Sequence, residues 1–382
     1  MGDILIRKAT LDDYFQLMSL FENAYAGNYS DETVTNHEHL KASLTSSHRF
    51  WAVAEVDSKL VGAMIFTSDF RNELAKITGA VVDRNYRKHG VAETVLQFGL
   101  DEVRKNKVGS LYGLVRTVSS APQRLTQHFG FKIAGVFPNV HLTDKFETNC
   151  LSLLIPPEVL AQRNTDFFLH EGVFPIYELV RSDFDLAPLP KASTVPPVKD
   201  NTVVVHESFE FEEIHAEVFV GRKFQELEED SVNPYEFFNR ANLLLVSKGM
   251  DKTEVYCHYA KADQSCIVLF MNNCPEGKSG DVMNCLSKQL QRSGIRYLEY
   301  GCRASEFQKI DSAIKSGFIP SAYFPAFQKA HGKRHDFVFF SKSFETFSFG
   351  GLQLNNRAQV FLDYYLDFWA ETNLGDWKKR CK

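Results

Sequence analysis

The sequence predicts an α/β (α+β) chain arranged as two copies of one fold followed by a C-terminal helix. Three observations predict it. Apolar strand-like runs alternate with amphipathic helical ones, a proline-rich stretch divides the chain, and the sequences on its two sides align with each other. A chain of 382 residues also exceeds what a single hydrophobic core usually organises. With 44% hydrophobic residues, 33 Phe and 24% charged residues, the composition is that of packed globular domains rather than of a disordered chain.

The division falls at Asp185 to Asn201, where Pro188, Pro190, Pro196 and Pro197 interrupt a polar stretch that neither a helix nor a sheet interior tolerates. Domains are therefore expected at 1–183 and 203–345, with a linker at 184–202 and a helical extension at 346–382.

Within the first domain, Ile4 to Ala9 reads as a strand and Asp12 to Tyr25 as a helix carrying Tyr14, Leu17, Leu20 and Phe21 at helical spacing. Phe50 to Val56 and Leu60 to Thr67 read as strands joined by the turn Asp57-Ser58-Lys59. An apolar strand around Ile77 to Val82 leads through a polar loop ending at Gly90 into a helix from Val91 to Lys105. Val95, Leu96, Gly99, Leu100 and Val103 mark its inward face, and Glu93 at its start with Arg104 and Lys105 at its end complement the helix dipole. A strand at Ser110 to Arg116, a helix near Pro122 to His128, the turn Gly130-Phe131 and strands reaching Ile155 complete the unit.

An offset of 187 aligns residues 79–155 with 266–342 without a gap. Val81 falls on Val268, Asn85 on Asn272, Gly90 on Gly277, Leu111 on Leu298, Arg116 on Arg303, Gly130-Phe131 on Gly317-Phe318 and Phe137-Pro138 on Phe324-Pro325. The identities are few, but they sit at equivalent turns, loop ends and strands. Beyond the second copy, Gln359 to Glu371 carries Val360, Phe361, Tyr364, Tyr365, Phe368 and Trp369 at helical spacing, the pattern of a helix docked on the protein body or on a second subunit as in a homodimer.

A formal net charge of -5 offers no general attraction to nucleic acid or anionic lipid, so neither is expected as a partner. The start, Met1-Gly2-Asp3-Ile4, lacks the basic and apolar regions of a signal peptide, and no run approaches the length of a membrane span. Seven cysteines without CxxC spacing suit reduced thiols in a cytoplasmic setting, most of them acting as small buried hydrophobes.

The chemistry is expected at Arg87-Lys88-His89-Gly90-Val91-Ala92. A diphosphate needs several backbone N–H donors converging on it, and a loop entering a helix supplies them because the first amides of a helix lack partners within it. Gly90 and Ala92 permit unusual torsions and close approach, while Arg87, Lys88 and His89 add positive charge. The six residues alone fit a solvated basic turn equally well.

The longer stretch from Val82 to Ala92 resembles the acetyl-CoA loop of the GNAT superfamily of N-acetyltransferases, whose pattern is [R/Q]-x-x-G-x-[G/A] after a strand. Ile6-Arg7-Lys8-Ala9 with its following helix, and His128-Phe129-Gly130-Phe131, are similar to flanking parts of that fold; the resemblance covers residues 4–155 and more faintly 203–342. It implies that each copy is a mixed, mostly antiparallel twisted sheet flanked by helices. It also implies acetyl-CoA as co-substrate, without a metal, lying in the splay between the strand ending at Val82 and the strand from Leu111 to Arg116. Main-chain groups at Val81 and Val82 would meet the pantetheine arm, the amides of Lys88, His89, Gly90, Val91 and Ala92 the pyrophosphate, and Ser119 would stand where relatives often carry an asparagine.

The proton-transfer residues depart from that pattern. Where many relatives have a glutamate base this chain has Lys76, with Glu73 three residues earlier, and where they have a tyrosine acid it has Thr126, with His128 nearby at a different helical phase. Tyr112, on the strand flanking the thioester, is a further candidate; ordinary packing and helix capping are the alternative roles of Tyr112 and His128.

In the second copy the matching loop reads Cys274-Pro275-Glu276-Gly277-Lys278-Ser279, where Glu276 repels a pyrophosphate and Pro275 stiffens the backbone, so a degenerate copy is expected. Gly277-Lys278-Ser279 evokes a nucleotide-binding loop, but Asn272 occupies the required first glycine. The segment Pro320 to Pro325 and the basic run Lys329 to Arg334 read as a core strand and a solvated loop, or as the lining of an acceptor pocket. His37-Glu38-His39 reads as a solvated loop rather than a metal site, and Cys257-His258 lies in a strand whose neighbouring side chains point to opposite faces. The resulting expectation is an N-acyltransferase moving an acetyl group from acetyl-CoA to a primary amine of a small molecule or protein. The alternatives are a non-catalytic acyl-CoA sensor and an interaction protein built from two relic domains.

Overall fold

The computed structural model describes residues 3–25, 32–192, 208–227, 240–249 and 252–380. Two compact units emerge, one from the described parts of 1–115, 121–131 and 152–159, the other from those of 116–120, 132–151 and 160–382. They group the chain differently from the expected 1–183 and 203–345.

In the first unit, strands β1 (Leu5–Lys8), β2 (Arg49–Val56), β3 (Lys59–Asp69), β4 (Leu74–Val82) and β5 (Ser110–Arg116) lie in that order. The first three neighbouring pairs are antiparallel and β4 with β5 is parallel. Helix α1 (Tyr14–Tyr25) covers one face together with the short α2 (Glu32–Thr35) and α3 (His37–Leu44). The four apolar positions anticipated on α1 are all buried there beside Trp51, Val53 and Ile65. Helix α4 (Val91–Lys105) covers the other face, over Ala54, Val61 and Phe66. It sits so close that a Cβ on Gly99 would lie 1.9 Å from the Phe66 ring. Helix α5 (Ser120–His128) follows β5.

His37-Glu38-His39 is not the loop expected from sequence but the first turn of α3. Asn36 caps it, its side chain accepting from the Glu38 and His39 amides at 2.9 and 3.2 Å. Without the cap in view, the charged tripeptide has no apolar period to announce a helix.

The short α6 (Pro157–Leu160) belongs to the first unit through Val159, and the second unit holds the hairpin β6 (Lys132–Leu142) and β7 (Phe146–Leu154, through Leu151), then β8 (Leu169–His170), α7 (Phe174–Phe184) and β9 (Lys191–Ala192). After these come β10 (Phe211–Ile214), α8 (Glu217–Gln225), β11 (Leu243–Ser247), β12 (Glu254–Ala260), β13 (Ser265–Asn272), α9 (Ser279–Arg292), β14 (Tyr297–Arg303), α10 (Phe307–Lys315), β15 (Ile319–Ala330), β16 (Lys333–Ser343) and α11 (Asn356–Arg380). The strand order is β7-β6-β15-β16-β14-β13-β12-β11-β10. β6 meets β15 at Gly135 opposite Ala322, and a Cβ on Gly135 would stand 2.3 Å from the Ser321 carbonyl oxygen, so only glycine fits. Helix α11 packs on β6 and β15 through buried Phe361 and Tyr365, while the anticipated Val360 points outward.

Part of the expected linker is structured. Leu186 and Leu189 are buried and Lys191–Ala192 pairs with β8, because two leucines among the prolines supply apolar surface that the proline count hides. Residues 193–202 of the linker lie outside the described residues.

β10 to β14 follow the order and pairing senses of β1 to β5. Adding 187 to the bounds of β5 and α5 gives those of β14 and α10. Left-handed backbone recurs at the same spacing in Gly90 and Gly277, Lys107 and Gly294, Gly130 and Gly317, and Asn139 and Ala326. The gapless alignment fails before the loop: Leu74 faces Ser110 but Ser265 faces Tyr297, so the two strands are offset differently. Asn272 accordingly ends β13, whereas Asn85 lies in a 3₁₀ turn, and their identity is coincidental.

No helix among the described residues is long and apolar enough to cross a membrane. Cys150, Cys257, Cys266 and Cys302 are buried, Cys274 and Cys285 half-buried, and none of the described cysteines is in a disulfide. Burial pushes the Cys150 thiol up to about 12.

Arg116 grips Glu147 with two bonds of 2.9 and 2.7 Å. Burial pushes the Glu147 carboxyl up, but the Arg116 guanidinium and the Thr143 hydroxyl outweigh it and leave it below the ordinary carboxylate range. Such a depressed group stabilises the fold above its unfolded pKa and loses that contribution as pH falls through the folded value. Urea denaturation of Glu147→Gln is thus expected to show a deficit of about 2 kcal/mol at pH 7 that shrinks below about pH 4.

Candidate active site

The site is built from the first unit. β4 and β5 pair at only three positions, from Leu74 opposite Ser110 to Lys76 opposite Tyr112. β4 then runs on to Val82 and β5 to Arg116 without further pairing, which opens a splay between parallel strands. A bulge helps to part them. The β3 register jumps between Ile65 opposite Thr78 and Ala63 opposite Val81, with Gly79 left-handed at φ +58°. A side chain there would strike Ile65 at 2.7 Å, and Tyr25 Oη donates to the next carbonyl, Ala80, at 3.2 Å. Gly79 was missed in the sequence; a lone glycine in an apolar strand is the signal that could have marked it.

The loop leaves β4 at Asp83, which organises its entry. The carboxylate accepts from the Asn85 amide at 2.9 Å and from Lys59 Nζ at 3.0 Å, and these two bonds hold it below the usual carboxylate range. The Asp83-x-Asn85 turn was legible as an aspartate-led turn but went unread. Arg87 Nε donates to the Val82 carbonyl at 3.2 Å, so Arg87 is folded back over the strand end, while the side chains of Lys88 and His89 are exposed.

Lys88 and Gly90 are both left-handed, at φ +65° and +77°, and Gly90 takes the N-cap position of α4. Its carbonyl already accepts from the Thr94 amide at 3.0 Å and the Thr94 hydroxyl at 2.8 Å. Among the described residues no protein acceptor meets the amides from Lys88 to Glu93, which include those of Val91 and Ala92 at the helix start. A Cβ on Gly90 would touch nothing within 4 Å, so its glycine answers to torsion and leaves open space before the helix. The arrangement suits an anion: free amides, the positive end of a helix dipole, and two flanking cationic side chains.

The proton-transfer candidates are scattered. Glu73 sits in the turn before β4, at the end away from the loop, with its carbonyl accepting from Gly109 and Ser110; the structure does not bring it to the splay. Thr126 Oγ1 donates back to the carbonyls of its own helix, Pro122 at 3.2 Å and Gln123 at 3.1 Å. His128 is exposed at the end of α5, edge-on to Phe129. Tyr112 is buried opposite Lys76, where β4 and β5 begin to part. Ser119, half-buried, precedes α5 in the second unit. Val81 and Val82 pair with Ala63 and Gly62 on the β3 side. Among the described residues no group of three His, Cys, Asp or Glu could hold a metal ion.

Residues 14–131 match the model of the acetyltransferase (GNAT) family. The chain carries a GNAT acetyltransferase domain. Acyl transfer is the chemistry of that family, and the match spans the splay, the loop and α4. Solved structures similar to the chain include the ribosomal-protein-S18-alanine N-acetyltransferase of Escherichia coli, at 19% identity over 40% of this chain and 94% of that one with a TM-score of 0.36. An N-acetyltransferase of Staphylococcus aureus Mu50 is 21% identical over 40% of this chain and 99% of that one, TM-score 0.37. PaiA N-acetyltransferase of Thermoplasma acidophilum, solved in complex with coenzyme A, is 19% identical over 40% and 99%, TM-score 0.33. A comparison with curated proteins finds no match.

Because the Gly90 requirement is torsional, Gly90→Ala is expected to cost about 1 kcal/mol in urea denaturation and Gly90→Asn less, although asparagine is larger. A steric requirement would give the opposite order.

Proposed function

We propose that the chain is an N-acetyltransferase that moves an acetyl group from acetyl-CoA to a primary amine of a small molecule or protein. The observation that carries the proposal is the run of unsatisfied amides from Lys88 to Glu93 at the mouth of the splay, within a domain of a family whose chemistry is acyl transfer. In this reading the amides take the pyrophosphate, Arg87, Lys88 and His89 add charge, and the pantetheine arm follows β4 toward the fork at Lys76 and Tyr112. In the same reading, backbone amides along the unpaired edge of β4 would polarise the thioester carbonyl. The neutral amine then attacks, its lone pair forming the C–N bond as the C–S bond breaks, with the electron pair leaving on sulfur and the amine proton passing to thiolate or solvent.

Residues 203–345 are, by the same proposal, a degenerate second copy without coenzyme. Recurrent left-handed positions and element bounds support the copy. Bonds at the start of α9 support the degeneracy: Ser279 and Ser312 hydroxyls bond at 2.7 Å and Ser316 Oγ donates to the Gly280 carbonyl at 3.1 Å, tying that helix start to α10. No hydrogen bond ties Val91, Ala92 or Glu93 to α5 among the described residues. An acyl-CoA sensor is the second reading, favoured by Lys76 at the place of the usual base and by a Thr126 hydroxyl engaged within its own helix.

Calorimetry is expected to give one CoA per chain, with Gly90→Glu weakening binding at least tenfold, on the order of 1.4 kcal/mol. Two sites, or none, contradict the assignment. Release of free thiol from acetyl-CoA with a panel of amines separates the enzyme from the sensor, which binds CoA and releases none.

A further inference from the structure

Helix α1 buries Leu17 and Phe21 against the sheet, while Phe15, Ser19 and Asn23, spaced four apart and so on one face of the helix, are exposed. This outer row borders a cleft of about 520 Å³. The cleft lies wholly within the first unit, between α1, the start of β3 at Lys59 and Leu60, and the turn from Asp83 to Asn85 that follows β4. Its volume is that of a small-molecule site, and Leu20 and Leu60, both buried, give it apolar lining.

The walls are held by named bonds. Gln16 is committed at both ends, its Nε2 donating to the Ser58 carbonyl at 3.3 Å and its Oε1 accepting from the Leu60 amide at 2.9 Å. Lys59 Nζ donates to Asp83 at 3.0 Å, so those two charges offset each other. Asn23 Nδ2 donates to the Ser19 hydroxyl at 3.2 Å, which leaves the Ser19 proton and the Asn23 amide oxygen for an incoming group. Two lining side chains are uncommitted. Among the described residues the exposed Arg84 guanidinium has neither a hydrogen bond nor an ion pair, and it gives the lining one net positive charge. Phe15 is 78% exposed, a phenyl ring left in water at the edge of the cleft.

We propose that this cleft is a second ligand site, separate from that of the coenzyme, and that it takes a flat aromatic carboxylate of small-molecule size. The ligand's ring stacks on Phe15 and covers Leu20 and Leu60, and its carboxylate takes paired N–H groups of Arg84. Ser19 and Asn23 meet a polar edge of the same ligand. A cation is disfavoured by the net charge of the lining, and a neutral ring forgoes the paired bonds. The site is separate because it lies on the side of the sheet covered by α1, whereas the free amides from Lys88 to Glu93 lead into α4 on the other face. The proposal does not depend on acyl transfer.

The test titrates the full chain with 2-naphthoate and with its neutral amide, reading the naphthyl fluorescence and the heat of binding. One naphthoate per chain is expected, with the amide at least tenfold weaker. Arg84→Gln and Phe15→Ala, both at exposed positions, should each weaken naphthoate at least fivefold, and Arg84→Lys should restore part of the loss. Saturating CoA should leave naphthoate affinity within twofold, and Phe15→Ala should leave CoA affinity unchanged. Absence of naphthoate binding, equal binding of the amide, or binding indifferent to Arg84→Gln overturns the proposal. Displacement of naphthoate by CoA overturns it as well, because the cleft then belongs to the coenzyme. A chain that takes naphthoate as expected but no CoA contradicts the transferase reading alone.

Discussion

Everything at the site depends on the parting of β4 and β5. Two parallel strands that pair at Leu74, Ala75 and Lys76 and then separate leave main-chain groups that a regular sheet would consume. The Gly79 bulge, tolerable because glycine accepts φ +58° and leaves room for Ile65, bends β4 away and makes the opening stable rather than accidental. The loop at Arg87 to Ala92 matters only because that opening lies before it.

The two faces of the first unit divide the work. The α4 face is a sealed apolar core in which Gly99 lets the helix descend onto Phe66, and that tight seat fixes where the first amides of α4 point. On the opposite face Arg49, Thr67, Lys76 and Tyr112 stand in register, ending at the fork. In the second unit the start of α9 is tied to α10 by serine hydroxyls, contacts that no charge count of Cys274 to Ser279 could reveal.

Much of this was legible in advance, and the misses have physical reasons. Strands and helices with strong periodicity, such as α4 at Val91–Lys105 and β5 at Ser110–Arg116, fall where their patterns place them. α3 was missed because its start is set by the Asn36 cap rather than by apolar spacing. β9 was missed because Leu186 and Leu189 were hidden among prolines. The false equivalence of Asn85 with Asn272 arose because a gapless offset cannot register two loops of different length.

By itself the sequence determined the local pattern: a strand, a basic turn, a glycine and a helix, an order of elements that suits an anion. Short-range pattern suffices for that, since the amides and the positive torsion belong to consecutive residues. Only the tertiary structure decided which side chains share a face. Arg49, Thr67, Lys76 and Tyr112 are distant in sequence and become neighbours through strand register, a property fixed by the bulge and the turns rather than by any of the four residues. It likewise removed Glu73 from the splay by placing it at the far end of β4.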